Sequence, residues 1–213
     1  MQSDRPVAVA WTGASGARYG LRLLGSLLLL QQRVDLLISD AARLVLRQEC
    51  GLDVQGDGAA VVQALAEPLG RELGRGVEVA GLRHFAQSDW MAPLASGASG
   101  SRAMVVCPCS MGTLAAIAHG LSDTLIERAA DVMIKERRPL LLVPREAPLS
   151  AIHLENMLGL TRLGVTILPA APGFYHRPVT VEALLDFMVA RILDQLGIAH
   201  RLLPSWPPAS NAS

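Results

Sequence analysis

Two short segments place hydroxyls and small residues where a strand would hand over to a helix. Thr12-Gly13-Ala14-Ser15-Gly16 follows the apolar run Val7–Trp11, and Ser110-Met111-Gly112-Thr113 follows the run Ala103–Cys107 and Pro108-Cys109. Small residues at such a junction let backbone N–H groups approach an anion, and the helix dipole favours negative charge there. The first loop lacks the GxGxxG spacing, and Ser39 stands at the end of the second strand where a dinucleotide site would need a ribose-binding acid. Each segment alone also reads as a tight turn or a helix cap, and for Ser110 the cap is the better reading. Two in one sheet favour a shared anionic ligand.

The charged candidates are fewer. Arg128, Asp131 and Lys135 are three and seven apart, so they share one helix face. That face is either a ligand grip or a solvated salt-bridge ladder, and spacing favours the ladder. Glu127 pairs with Thr124 as a capping box. Arg145 and Glu146 follow another apolar run, where an Arg could anchor phosphate and a Glu could move a proton, or the two could be an exposed ion pair. Tyr175 brings a phenol within Gly173-Phe174-Tyr175-His176. Arg191, between Val189-Ala190 and Ile192-Leu193, either meets an anion or snorkels to water. His153 and His176 have no evident ligand partner.

Strands alternating with helices must position these residues. Strands are expected at Val7–Trp11, Val34–Ser39, near Val77–Ala80, and at Ala103–Cys107, Leu140–Val143 and Val165–Leu168. Helices are expected over 17–31, 41–50, 59–73, 110–119, 124–138, 150–163 and 180–196. Residues 88–102 read as a long Gly/Ser/Pro loop. The pattern predicts a single-domain, doubly wound, Rossmann-like (flavodoxin-like) parallel α/β sheet over residues 1–200, with a tail at 201–213. In that architecture ligands bind beyond the carboxyl ends of the strands.

Of the 213 residues, 51% are hydrophobic and 18% charged, below the usual charged fraction of roughly 25%. The helices therefore carry too few charges to cover a monomer, which points to large contacts between copies. The longest strongly apolar stretch, Leu23–Leu30, is too short to span a membrane. Equal numbers of acidic and basic residues, 19 each, leave no nucleic-acid footprint. Three cysteines, Cys50, Cys107 and Cys109, fit neither a zinc site nor a disulfide framework. A reducing, cytoplasmic compartment is expected.

The motifs TGASGARYG, SDWMAP, CPCSMGT, LIERAADVMIKERRPLLLVPREAP, IHLENM and LPAAPGFYH, in this order, resemble the UbiX-type flavin prenyltransferases from about Val7 to Ile198. The resemblance implies that reduced FMN is prenylated at N5 and C6 by dimethylallyl phosphate, without a metal. The product, prenylated FMN, would serve a UbiD-type decarboxylase, and the assembly would be a homododecamer with sites where subunits meet. Carried over by motif, Gly13, Ala14, Ser15, Ser39, Ser110, Met111, Gly112, Thr113 and Arg145 would hold the flavin. Arg128, Lys135, Tyr175 and Arg191 would grip the prenyl phosphate, Arg128 and Lys135 from another subunit. Ser15, Glu49 and Glu146 would serve catalysis, the two carboxylates as acid/base candidates, and Trp90 would face the prenyl group.

Two other functions compete. A flavin-dependent cysteine decarboxylase shares this fold, but it carries a His before its third strand and a PASANT-like motif. Here CPCSMGT and PAAPGFYH stand instead, and His84 has no matching context. A non-catalytic FMN carrier would need no second phosphate site, so Arg128, Lys135, Tyr175 and Arg191 count against it.

Overall fold

The computed structural model describes residues 5–98 and 100–203. Six parallel strands form one sheet: β1 (Val7–Trp11), β2 (Val34–Ile38), β3 (Leu82–Phe85), β4 (Ala103–Cys109), β5 (Leu140–Pro144) and β6 (Thr166–Ile167), in the order β3-β2-β1-β4-β5-β6. This is the Rossmann order, and it reverses direction between β1 and β4. In this fold the ligand crevice lies at that switch point, at the carboxyl edge between the loops leaving the two strands. The two loops singled out by residue type are the ones that flank it.

Side chains alternate across the sheet and build two apolar layers. Val7, Val9 and Trp11 face the helices α1 (Ala17–Leu29), α2 (Asp40–Cys50), α3 (Ala59–Leu73) and α7 (Val181–Gln195). Ala8 and Ala10 face α4 (Met111–Ala118), α5 (Leu125–Lys135) and α6 (Ala151–Arg162). The strands β1, β2, β4 and β5 are buried on both faces, which explains their unbroken apolar runs.

Two expectations change. No strand forms at Val77–Ala80; β3 begins five residues later, and Val77 and Val79 pack as a partly buried link. As an edge strand paired only with β2, β3 alternates buried Leu82 and His84 with more exposed Arg83 and Phe85, so it lacks the signature of a buried strand. The segment 88–102 is a packed connection. Leu94 is fully buried in a single 3₁₀ turn, Pro93–Ala95, and Arg138 donates to the carbonyls of Gly97 and Ser101. The helix over 124–138 ends at Lys135, and β6 shrinks to two residues. The tail from residue 204 onward lies outside the described residues. No described helix is long and apolar enough to cross a membrane.

Helix α6 is held to the core by few side chains. Leu160 is fully buried, whereas Ile152, Leu154 and Leu158 are half exposed or more. Leu160→Ala should therefore lower unfolding stability by about 2–5 kcal/mol. Chemical denaturation reads the change, and an unaltered midpoint would mean that α6 is anchored elsewhere.

Candidate active site

The crevice is built by hydrogen bonds between its loops. Thr12, almost wholly buried, donates its hydroxyl to the Pro108 carbonyl at 3.0 Å and accepts the Ser110 N–H at 2.7 Å. It thereby ties the end of β1 to the end of β4. The Ser39 N–H donates to the Trp11 carbonyl at 3.0 Å, while the Ser39 hydroxyl caps α2 by accepting the Ala42 N–H at 3.1 Å. Gly13 packs against the first turn of α2 so closely that a Cβ would lie 2.6 Å from the Ala41 Cβ. A glycine is needed there for close approach rather than for an unusual φ.

The chain enters α1 through Gly16 in left-handed backbone, φ 109°, with no side-chain cap from the turn itself. Glu49, at the far end of α2, supplies the acceptor. Its carboxylate takes the Gly16 N–H at 2.9 and 3.1 Å and the Ala17 N–H at 2.8 Å. Burial pushes the Glu49 carboxyl up. The Ser15 hydroxyl, the two backbone donors and the Arg145 charge pull it further down, so the net shift is below the ordinary carboxylate range. Arg145, just after β5, donates Nε to the Ser15 carbonyl at 3.1 Å. Ser15, Glu49 and Arg145 thus form one cluster.

Ser110 caps α4 by accepting the Thr113 N–H at 3.2 Å, and its hydroxyl also bonds Thr113 Oγ1 at 3.0 Å. The N–H groups of Met111 and Gly112, in the first turn, have no intrahelical acceptor and are the donors a ligand could meet. The Met111 side chain is buried in the core, so its contribution would come through the backbone. Glu146 is exposed and accepts only the Ala147 N–H among the described groups. Trp90, 48% exposed, rides on a loop held by the Gln87–Asp40 hydrogen bond and by the Leu125 N–H on the Gln87 carbonyl. That loop follows β3, so Trp90 stands at the same carboxyl edge.

The four residues expected at the prenyl phosphate do not join this cluster within one chain. Arg128 pairs with Asp131 at 2.6 Å and donates to the Ala95 carbonyl. Lys135 pairs with Glu136 at 2.6 Å, and α5 ends where the chain turns into β5, at the amino edge of the sheet. Arg191 is not held in an apolar setting, as its neighbours suggested. Its side chain is 49% exposed and pairs with Asp194 at 2.8 Å, because α7 turns Val189, Ala190, Ile192 and Leu193 inward and Arg191 outward. Tyr175 and Arg191 do share a region: Tyr175 meets Phe187, one helical turn before Arg191, and Phe187 and Arg191 both line a groove of about 320 Å³ beside β6.

The roles of two further residues are not visible in the sequence. Thr12 was noted only as the start of its loop; the welding role needs the β1–β4 adjacency. His84 is a structural residue. It is 5% exposed, its Nδ1 accepts the Gly58 N–H at the start of α3, and burial, helped by Arg43, pushes its pKa down to about 4.

A Rossmann-order sheet whose switch point carries open helix donors and a cationic side chain defines a protein that binds a phosphorylated cofactor, and the Flavoprotein family profile matches residues 1–193. The flavin prenyltransferase UbiX of Pseudomonas aeruginosa is 55% identical over 206 residues, 97% of this chain and 96% of its own. A solved UbiX protein, AnUbiX (PadA1), in complex with FMN and dimethylallyl pyrophosphate is 39% identical with a TM-score of 0.79, covering 95% of this chain and 97% of that one. A dodecameric FMN-dependent UbiX-like decarboxylase from Escherichia coli O157:H7 is 38% identical with a TM-score of 0.81, covering 94% and 98%. The chain belongs to the UbiX-type flavin prenyltransferase family.

The Glu49 cluster makes a pH prediction. Because the folded pKa lies below the unfolded value, the contribution of Glu49 is present above the ordinary carboxylate range and is lost as pH falls through the folded value. Wild type should melt higher than Glu49→Gln near neutrality, and the gap should close below about pH 4. A gap that persists or widens in acid contradicts the assignment.

Proposed function

We propose that this chain performs the reaction of its family at the β1/β4 crevice, with the residues above in the roles that follow. The chain is an enzyme, a flavin prenyltransferase. It joins a dimethylallyl unit from dimethylallyl phosphate to reduced FMN and releases prenylated FMN. The observation that carries this reading is the 55% identity to the Pseudomonas aeruginosa enzyme across nearly the whole of both chains.

The donors at the β1/β4 switch point suit the phosphate of a flavin mononucleotide. Gly13 leaves no side chain between the β1 loop and α2, Met111 and Gly112 offer open N–H donors, and Arg145 adds positive charge beside Ser15. Reduced FMN supplies the nucleophilic ring atoms N5 and C6. Gly13, Ala14, Ser15, Ser39, Ser110, Met111, Gly112, Thr113 and Arg145 hold it. Tyr175 and Arg191, with Arg128 and Lys135 of another copy, stabilise the departing phosphate. Trp90 offers an aromatic face to the allylic carbon as positive charge develops there. Glu49 or Glu146 takes the proton from C6. Glu49 is ionised and placed beside the Ser15 loop, but its lowered pKa and its hydrogen bonds to Gly16 and Ala17 make it a weaker base than an ordinary carboxylate, which leaves the exposed Glu146 the stronger base of the two.

Assembly follows from the same residues. Lys135 lies at the amino edge of its own sheet, so it can serve a crevice only from a neighbouring copy. Leu149, Ile152, Leu154, Leu158 and Leu163, in and around α6, give such a neighbour an exposed apolar surface. A dodecamer like that of the Escherichia coli relative accommodates both features. The product would pass to a UbiD-type decarboxylase in the cytoplasm.

Anaerobic incubation with reduced FMN and dimethylallyl phosphate should raise the flavin mass by one dimethylallyl unit; unmodified flavin would overturn the reading. Arg191→Ala should weaken dimethylallyl phosphate about ten- to a hundredfold and leave FMN affinity near wild type, as loss of one charged hydrogen bond requires. Separate titrations of the two ligands check this, and a parallel fall in FMN affinity would contradict it.

A further inference from the structure

We infer that His176 is a positioning residue for the prenyl phosphate site: as a flat ring stacked on Phe187, it fixes where Tyr175 stands. The inference rests on the assignment of Tyr175 and Arg191 to that phosphate and adds a residue to it.

The His176 and Phe187 rings are parallel within 5°, with centroids 5.4 Å apart. Tyr175 stands edge-on to both, at 5.7 Å and 76° in each case. One stacked pair and two edge contacts are the arrangements that ring quadrupoles favour. Phe187 is 9% exposed and anchored in α7, so the pair gives the loop a fixed reference on the helix that carries Arg191. Tyr175 remains 60% exposed, with its ring held against His176 and Phe187. Gly173 completes the cluster. A Cβ there would lie 3.1 Å from both Phe187 Cζ and Tyr175 Cε1, so the loop closes on the rings without spare room.

The nitrogens of His176 are not what the site uses. Nδ1 and Nε2 are both shut off from solvent, and neither bonds a described group. A ligand outside the chain cannot reach them where they lie. Burying them unpaired is unfavourable, and the stack on Phe187 is what the ring provides in return. An aromatic carbocycle of similar size should therefore do the same job.

The test measures KM for dimethylallyl phosphate, kcat and FMN affinity in the full assembly, with thermal melts to confirm folding. His176→Ala should raise KM about two- to tenfold, the scale of one aromatic pair, with kcat at saturation and FMN affinity near wild type. His176→Phe should return KM to the wild-type range. Gly173→Ala, which crowds Phe187 and Tyr175 from the other side, should raise KM as well. If His176→Phe is as poor as His176→Ala, the nitrogens matter and the inference is overturned. It is equally overturned if His176→Ala keeps the wild-type KM while Tyr175→Phe raises it. If Tyr175→Phe itself leaves KM unchanged, the phosphate assignment fails, and the inference falls with it.

Discussion

The contact on which the carboxyl edge depends is the Glu49 carboxylate at the start of α1. The turn after β1 is made of small residues and brings no cap of its own, so two N–H groups of the helix would otherwise be left to water. Glu49 reaches them from thirty-three residues away in sequence. Since Ser39 fixes the other end of α2 to Trp11, α2 is strapped across the β1 turn at both ends. The closeness of Ala41 to Gly13 follows from that strap. Arg145 then bonds the same turn from β5, so the ends of β1 and β5 and the last turn of α2 converge on Ser15.

This arrangement divides the labour between two helix starts. The α1 terminus already holds a carboxylate, and a second anion there would meet like charge. The α4 terminus, whose Ser110 cap satisfies Thr113 alone, keeps its first two donors open. In the proposed reading a phosphorylated ligand would meet the β4 side of the crevice, with the Glu49–Ser15 side left for proton chemistry. The carriers of the second anion site lie elsewhere in the chain, at α5 and at the β6/α7 border. In the proposed reading Arg128 and Lys135 would serve a neighbouring copy, and the exposed apolar side chains of α6 would give that neighbour a surface to meet.

Much of this could be read from residue types. The β1 and β4 loops, the Ser39 and Ser110 caps and the Thr124–Glu127 capping box depend on local chemistry, and local chemistry is what a sequence displays. The edge strand β3 was misplaced because a strand with one neighbour need not be apolar on both faces. For Arg191 the apolar flanks left burial against an anion and exposure to water both open, and the structure shows exposure, because flanking residues on a helix point in other directions from the residue they flank. His153 turned out to complete a capping box with Ser150, a role usually given to Glu or Gln and so without a familiar signature. The roles of Thr12, His84 and His176 each depend on a contact between distant segments, which no spacing rule announces.

Amide hydrogen exchange on wild type and Glu49→Leu tests the central claim most directly. If Glu49 holds the turn, exchange in the segment from Thr12 to Leu21 should speed up about tenfold or more, as expected when a charged hydrogen bond is lost. Exchange in β2 should stay as in wild type. Equal protection of that segment in both proteins would show that the turn stands without Glu49 and would contradict the account.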